Sequence, residues 1–145
     1  MIRRRIFLLS LCLISINAFA GDKIFHQNGN AIKGYDAVAY HSLKQAVKGD
    51  AQHTFNWKGA SWLFTSQQNL DLFASNPEKY APKYGGHCAY AASKGSIAPV
   101  DPEAWTIVDD QLYLNYSKSV REIWKEDIPG NIKKADVNWP GISTQ

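Results

Sequence analysis

His53–Phe64 reads HTFNWKGASWLF and specifies a β-hairpin. Its first half, His53–Trp57, alternates polar and apolar side chains, which is the period of a strand with one buried face. The dipeptide Lys58-Gly59 supplies a turn, and Ser61–Phe64 returns as the second strand. Aromatic residues occur on both strands and can pair across the hairpin, which is how two strands of this kind stabilise each other.

A helix is predicted directly after this hairpin. The dipeptide Thr65-Ser66 offers an N-cap, because a serine or threonine hydroxyl can accept from the free backbone N–H groups of a first helical turn. Leu70 and Phe73 then recur at helical spacing within Gln67–Ala74, and the dipeptide Asn76-Pro77 ends the helix. Together these residues predict a ββα unit.

The same pattern recurs downstream. Trp105–Val108 and Leu112–Asn115 predict two strands joined by a turn at Asp109-Asp110, and Ser117 predicts the N-cap of a helix through Lys125. We place Val120, Ile123 and Trp124 on one apolar face of that helix. At a constant offset of 51 residues, the matching pairs are Trp62 with Tyr113, Leu63 with Leu114, Ser66 with Ser117, Leu72 with Ile123, and Phe73 with Trp124.

These two segments predict the fold class. We expect a small single α+β domain built from two β-hairpin–helix units that are joined by a Gly-Gly-His-Cys loop and bury their apolar faces against each other. The alternative is that two hairpin–helix segments resemble each other by chance. The whole chain is divided into residues 1–20 as a cleaved signal peptide, 21–33 as a lead-in, 34–140 as the domain and 141–145 as a frayed tail.

The flanking segments have weaker patterns. A turn is predicted at Asn28–Asn30, an extended piece or short strand at Gly34–Tyr40, and a short helical turn at Ser42–Val47. Ile128–Asp136 is interpreted as one more helical turn, after which Trp139 is expected to pack against the body of the domain.

The first twenty residues have the pattern of a secretory signal. Arg3–Arg5 supply positive charge, Ile6–Ile16 an apolar core, and Ala18–Ala20 a small-x-small cleavage site. The apolar run is short of the roughly 20 residues that span a bilayer, which disfavours the alternative of a membrane anchor. We therefore expect a periplasmic or secreted protein without a stable membrane anchor after cleavage. The general secretory route is favoured over twin-arginine export, because the positive segment is very short.

Cleavage would also remove the net charge. The chain has 16 Lys and Arg and 13 Asp and Glu, and Arg3–Arg5 leave with the signal, so 13 basic residues would face 13 acidic ones. A neutral mature protein gives no indication of nucleic-acid binding.

The segment between the two units is the most chemically suggestive. Tyr84–Tyr90 reads YGGHCAY, and Cys88 is the only cysteine that would remain after cleavage, so no intramolecular disulfide can form. The two glycines allow positive φ and can form an anion-receptive concavity, or they simply make room for a neighbouring group. The residues predicted to line a pocket here are Tyr84, Gly85, Gly86, Tyr90 and Asp36.

Three roles are open for Cys88. It can be a small buried apolar residue among alanines, or a nucleophile activated by a neighbouring cation or histidine. It can also ligate a metal ion such as copper, zinc or iron, because thiolate and imidazole groups suit these ions. The predicted metal or ligand-binding residues are Cys88, His87, His41 and His53. No set of catalytic residues is predicted, and the oligomeric state is left open.

Several of these segments resemble one family. Gly34–Tyr40 (GYDAVAY), the hairpin leading to Trp62–Phe64, and Phe73–Tyr80 (FASNPEKY) are similar to the YHS domain. The longer pattern, through Tyr84–Tyr90 and Leu112–Tyr116 to Asn138–Pro140, resembles exported bacterial YHS-domain proteins and covers residues 34–140.

The resemblance implies the fold and the compartment more strongly than an activity. Short YHS modules accompany heavy-metal transporters, which implies metal binding through cysteines near the start of the domain and at the hairpin–helix junction. Here the corresponding segments, Asp36–Ala39 and Phe64–Gln67, contain no cysteine. We therefore expect an exported binding module for a metal ion or small ligand centred on Cys88. The alternatives are a structural or interaction protein with a buried Cys88, and a thiol-dependent redox protein.

Overall fold

Residues 23–144 are described by the structure, which is a computed structural model, and the predicted signal peptide lies outside this range. The elements in chain order are β1 (His26–Gln27), β2 (Asn30–Ala31), a 3-10 turn (Ile32–Gly34), α1 (Ala37–Ser42), β3 (Asp50–Trp57), β4 (Ala60–Phe64), α2 (Gln67–Ser75), α3 (Pro77–Tyr80), a second 3-10 turn (Lys83–Gly86), α4 (Ala89–Ser93), β5 (Asp101–Val108), β6 (Gln111–Asn115), α5 (Lys118–Lys125) and α6 (Ile128–Ser143). The prediction of an α+β fold is confirmed.

The first ββα unit forms as predicted. β3 and β4 pair antiparallel, and the sheet order is β1-β2-β4-β3. The Ser66 hydroxyl accepts from the backbone N–H of Asn69 and so caps α2. Phe73 of α2 stacks on Trp62 of β4, with ring centroids 4.8 Å apart, and this contact fixes the helix on the sheet.

The second unit repeats the first with the same strand boundaries and the same helix start. β3 and β4 shifted by 51 residues coincide with β5 and β6, and α2 begins at the position equivalent to the start of α5. Both hairpins lose their regular pairing at the same place, between Asp50 and Thr54 and between Asp101 and Trp105. Ser117 caps α5 through the N–H of Val120, as Ser66 caps α2. The repeat is therefore structural as well as a pattern in the sequence.

The repeat also extends upstream of the hairpins, which the sequence pattern did not indicate. Each unit is preceded by a 3-10 turn and a short helix, at an offset of 52 residues: Ile32–Gly34 with α1, and Tyr84–Gly86 with α4. All three residues in each of these two triplets have positive φ. The connection between the units is therefore a 3-10 turn with short helices on both sides rather than a loop alone.

Four local predictions were wrong. Gly34–Tyr40 is not a strand, because the Asp36 carboxylate caps α1 and starts a helix at Ala37. No helical turn covers Ser42–Val47, since α1 ends at Ser42. Ile123 is 45% exposed and does not share the buried face of Trp124. The tail is not frayed where it is described, because α6 runs from Ile128 to Ser143.

One apolar core joins the two units. It contains Trp62 and Phe64 from the first hairpin together with Leu112 and Leu114 from the second, and Cys88 packs among them. A second cluster, which includes Tyr84 and Trp124, lies against α6. Within residues 23–144, no helix is long and apolar enough to cross a membrane.

Candidate binding cleft between the two units

A cleft of about 580 Å³ opens beside the second 3-10 turn. It collects side chains from distant parts of the chain: the turn of the first hairpin, the segment after α3, the start of β6 and the end of α6. The lining residues are Ile24, Trp57, Lys58, Glu78, Ala81, Pro82, Lys83, Tyr84, Gly85, Gln111, Asp136, Trp139 and Pro140.

Tyr84 anchors this cleft to α6. Its phenol donates to Oδ1 of Asp136 over 2.9 Å, and its ring lies 5.9 Å from that of Trp139. Burial raises the pKa of Tyr84, and the hydrogen bond to the Asp136 carboxylate and its negative charge raise it further. The phenol therefore remains a neutral donor at physiological pH, and it holds the carboxylate in place.

Tyr84 makes the free energy of unfolding decrease at alkaline pH. Because its pKa in the folded protein lies above the value of about 10 in an unfolded chain, the stabilisation is complete below that pH and declines as the pH rises above it. Tyr40 and Tyr113 contribute in the same direction, since burial raises the pKa of both. We expect Tyr84→Phe to reduce the slope of unfolding free energy against pH above about 10, measured by urea unfolding. Tyr116→Phe, at an exposed tyrosine, is the control, and equal slopes in the two variants would contradict the assignment.

Charged groups of both signs lie around the cleft. The Lys58 ammonium is 3.3 Å from Oε1 of Glu78 and 4.7 Å from the centre of the Trp57 ring. The Lys83 ammonium lies 6.0 Å from the centre of the Tyr84 ring, and it has no ion pair with a carboxylate among residues 23–144. Lys83 can therefore offer its charge to a bound group.

Gly85 allows the backbone of the N-terminal segment to approach the turn. Its carbonyl oxygen accepts from the N–H of Phe25 over 2.9 Å, and a side chain at this position would overlap the Lys23 carbonyl. Of the two interpretations of the glycine pair, making room for a neighbouring group applies to Gly85. Gly86 is buried at φ +79° and does not line the cleft.

Cys88 lies inside the core that joins the two units. Its side chain is 1% exposed; Sγ donates to Oδ1 of Asn115 over 3.5 Å and accepts from the N–H of Tyr116 over 3.3 Å. The same Oδ1 atom also accepts from the N–H of Tyr90, so the amide oxygen, not the amide nitrogen, faces Cys88. Because an oxygen can only accept, the Cys88 thiol must keep its hydrogen to make this contact. This geometry matches the packing interpretation of Cys88.

We expect the Cys88 thiol to resist alkylation in the folded protein. A group that is 1% exposed can react only when the core opens, so labelling with iodoacetamide should follow the fraction of unfolded protein in a urea series. Rapid stoichiometric labelling without denaturant would contradict the buried placement and would favour the nucleophile interpretation.

Asp36 is a buried structural group and not a pocket-lining residue. It is 0% exposed, and its carboxylate accepts from the N–H groups of Val38, Ala39 and Thr65. The Thr65 hydroxyl and the Asn69 amide donate to it as well. At the offset of 52, Asp36 is equivalent to Cys88, and both residues are N-caps of short helices.

The predicted histidines lie in separate environments. His87 Nδ1 is 3.0 Å from the Tyr84 carbonyl, and its ring lies between Phe25 and Trp139. His41 packs edge-on against Tyr80, with Nε2 3.3 Å from the carbonyl of that residue. Burial lowers the pKa of His41 and of His87, so both are neutral at physiological pH. His53 lies on β3, and its Nδ1 is buried without a hydrogen-bond partner in the described chain.

These residues do not form a metal centre. Within residues 23–144, no group of three or more His, Cys, Asp or Glu side chains could hold a metal ion. Cys88 uses its sulfur for the contacts with Asn115 and Tyr116, and Nδ1 of His87 faces a backbone carbonyl. The donor set therefore does not fit the metal site that the family resemblance implies.

Sequence reasoning found two residues of the cleft and missed the others. Tyr84 and Gly85 line it as predicted, whereas Tyr90 does not. Lys83 and Asp136 were missed because they belong to different elements and share no motif. Trp139 was expected to pack on the body, and it does so against Tyr84 and His87.

The fold and cleft define a class of small α+β proteins in which a β-hairpin–helix unit occurs twice around one core. Residues 38–84 match the family model of the YHS domain. The match begins within α1 and covers the first hairpin, α2 and α3 up to Tyr84, whereas the second unit lies beyond it. No curated protein and no solved structure matches the chain significantly.

Proposed function

We propose that this chain is an exported binding protein whose cleft takes a small organic anion with a flat apolar part. The observation that carries the proposal is the composition of the cleft, where two tryptophans, a tyrosine and the cation Lys83 line one cavity. Its volume of about 580 Å³ lies within the range of pockets that bind small molecules.

The aromatic residues suit the apolar part of such a ligand. Trp57 and Trp139 come from the first hairpin and from α6, so the wall of the cleft combines the first unit with the last helix. Indole rings give a large contact area with little loss of side-chain freedom, and they stack on flat groups. Neither ring is buried in a core cluster as fully as Trp62 or Trp124.

The charged side chains of the cleft determine which polar group of a ligand can bind there. Lys58 is already paired with Glu78, whereas Lys83 has no carboxylate partner in the described chain, so Lys83 is the group that would meet a ligand carboxylate. Asp136 accepts from Tyr84 and adds a negative charge to the lining. A ligand with one anionic group at one end fits this distribution better than a dianion does.

Benzoate and its neutral analogue benzamide form a matched pair of probes. Benzoate is expected to shift the indole N–H signals of Trp57 and Trp139 in NMR titrations, and benzamide to bind about tenfold more weakly. Lys83→Gln should remove the difference between the two probes. Lys79→Gln, at an exposed lysine outside the cleft, should leave it unchanged. Titrations in which neither probe moves these indole signals would overturn the proposed function.

The metal version of the binding proposal has less support, because Cys88 is buried and its neighbours are an amide and a backbone N–H. The same burial favours the second candidate, a structural role for Cys88 within an interaction protein. Equilibrium dialysis against copper, zinc and iron salts distinguishes the two candidates. Stoichiometric uptake by the wild type that is lost in Cys88→Ala would restore the metal proposal.

Export is proposed from the sequence of residues 1–20. Expression of the full chain in a Gram-negative host, followed by fractionation, should yield a mature protein in the periplasm whose N-terminus is Gly21. Recovery of the uncleaved chain in the membrane fraction would show an anchor instead.

A further inference from the structure

A second groove lies on the opposite ββα unit, between α5 and β5. Its volume is about 460 Å³, and the loop after α1 closes one side. The lining residues are Lys44, Trp105, Thr106, Ile107, Arg121 and Lys125. Three of the six are cations, and no carboxylate lines the groove.

In the first unit, apolar side chains fill the place that corresponds to this groove. At the offset of 51 residues, Thr106 is equivalent to Phe55, and Arg121 is equivalent to Leu70. In the first unit these two apolar side chains pack against the core, and Phe55 contacts Phe73 with ring centroids 6.1 Å apart. The second unit keeps an aromatic residue at the Phe73 position, Trp124, but has polar groups where the two apolar side chains were. The site that apolar side chains fill in the first unit is therefore an open groove with polar lining residues in the second unit.

One polar atom of each replacement has no hydrogen bond. Thr106 Oγ1 and Arg121 Nε are both buried, and neither atom has a hydrogen-bond partner in the described chain. The Nε atom lies 3.7 Å from Oε1 of Glu122, which is beyond hydrogen-bond distance. A buried polar atom without a hydrogen-bond partner lowers stability, so two of them on residues that line one groove indicate a bound group that completes them.

We propose that this groove binds the oxyanion group of a small ligand, such as a phosphate or a carboxylate. Thr106 Oγ1 and Arg121 Nε each supply a donor, and Lys44 and Lys125 add positive charge around them. Lys125 Nζ also lies 3.5 Å from Oε1 of Glu122, but the Glu122 side chain is 64% exposed and does not line the groove. Trp105 provides an apolar wall for whatever carries the oxyanion. This site is separate from the cleft beside Tyr84 and does not depend on the function proposed there.

Inorganic phosphate is the probe, titrated into the mature wild-type protein at low ionic strength and followed by NMR and by the thermal unfolding midpoint. We expect the backbone signals of Thr106 and Arg121 to shift with phosphate, and the midpoint to rise with its concentration. Arg121→Leu and Thr106→Val restore the apolar character of the first unit, and each should weaken binding about tenfold or more. Because these variants remove unpaired buried atoms, they should unfold at a midpoint no lower than that of the wild type without phosphate.

Lys118→Gln is the charge-matched control, because Lys118 is exposed on the same helix and does not line the groove. It should bind phosphate nearly as the wild type does, whereas Lys125→Gln should bind it more weakly. Equal weakening by both substitutions would show only general attraction by a basic surface and would overturn the site. The absence of any shift up to about 10 mM phosphate would overturn it as well.

Discussion

Replacing Asp36 with alanine should lower the free energy of unfolding by about 4 kcal/mol, enough to leave a domain of this size largely unfolded. The carboxylate is 0% exposed and accepts from five donors, which belong to Val38, Ala39, Thr65 and Asn69. Alanine would leave the N–H groups of Val38 and Ala39 without this acceptor in the interior, and it would remove the part-buried bonds from Thr65 and Asn69 as well. The loss would also remove the hydrogen bonds by which this side chain connects the start of α1 to the junction between β4 and α2.

Urea unfolding followed by circular dichroism measures this effect, with Ser66→Ala as the matched control. Ser66 caps α2 through a single bond to the N–H of Asn69, so its loss should cost about 1 kcal/mol. If Asp36→Ala is too unstable to purify, Asp36→Asn provides the measurement. Asparagine keeps one acceptor oxygen at this position but directs its amide nitrogen at other donor groups. The Asp36→Asn variant should therefore still be less stable than Ser66→Ala. Equal costs for the substitutions at Asp36 and Ser66 would contradict the role of the carboxylate.

The second unit solves the same structural problem with different residues. Where Asp36 accepts from the N–H of Thr65, Cys88 Sγ accepts from the N–H of Tyr116, and these two donors are equivalent at the offset of 51. In the first unit Asp36 also accepts from the first turn of α1. In the second unit the acceptor for the first turn of α4 is Asn115, whose Oδ1 accepts from the N–H of Tyr90. The thiol that looked like a reactive centre in the sequence therefore occupies the place of a buried capping carboxylate.

The hairpins and their helices could be predicted because the signals are local. Strand alternation, the turn at Lys58-Gly59 and the N-cap Ser66 all act within a few residues, and each recurs in the second unit. The helix α1 was missed although its cap, from the Asp36 carboxylate to the N–H groups of Val38 and Ala39, is local as well. Gly34–Tyr40 carries apolar and polar residues without a clear period, and the same carboxylate also accepts from Thr65 and Asn69, which lie 29 and 33 positions away.

The candidate sites were less predictable than the fold. Lys83 and Asp136 meet in one cleft only because α6 folds back across the second 3-10 turn, and no spacing in the sequence encodes that contact. The groove beside Arg121 could have been noticed, since aligning the two units shows Thr106 opposite Phe55 and Arg121 opposite Leu70. Whether those polar atoms have partners is a property of the packing, which the sequence pattern does not contain.

Replacing Gly85 with alanine should cost about 3 kcal/mol of unfolding free energy, from positive-φ strain and from steric overlap. Gly85 has φ +61°, and a side chain there would overlap the Lys23 carbonyl. The backbone bond from Phe25 to Gly85 would then have to break, together with the contact between the rings of Phe25 and His87.

Gly59→Ala is the matched control for this substitution, because Gly59 has φ +77° but no atom within 4 Å of the added carbon. Its cost should be limited to the conformational strain, about 1 kcal/mol. A second measurement separates displacement of the N-terminal segment from general loss of stability. Since burial lowers the pKa of His87, a displaced Phe25 should let that pKa rise toward its ordinary value in NMR titrations of folded Gly85→Ala, and Gly59→Ala should leave it unchanged. An unaltered His87 pKa in Gly85→Ala would mean that residues 23–25 do not cover the turn, and the wall that Ile24 gives to the cleft would then have to be withdrawn.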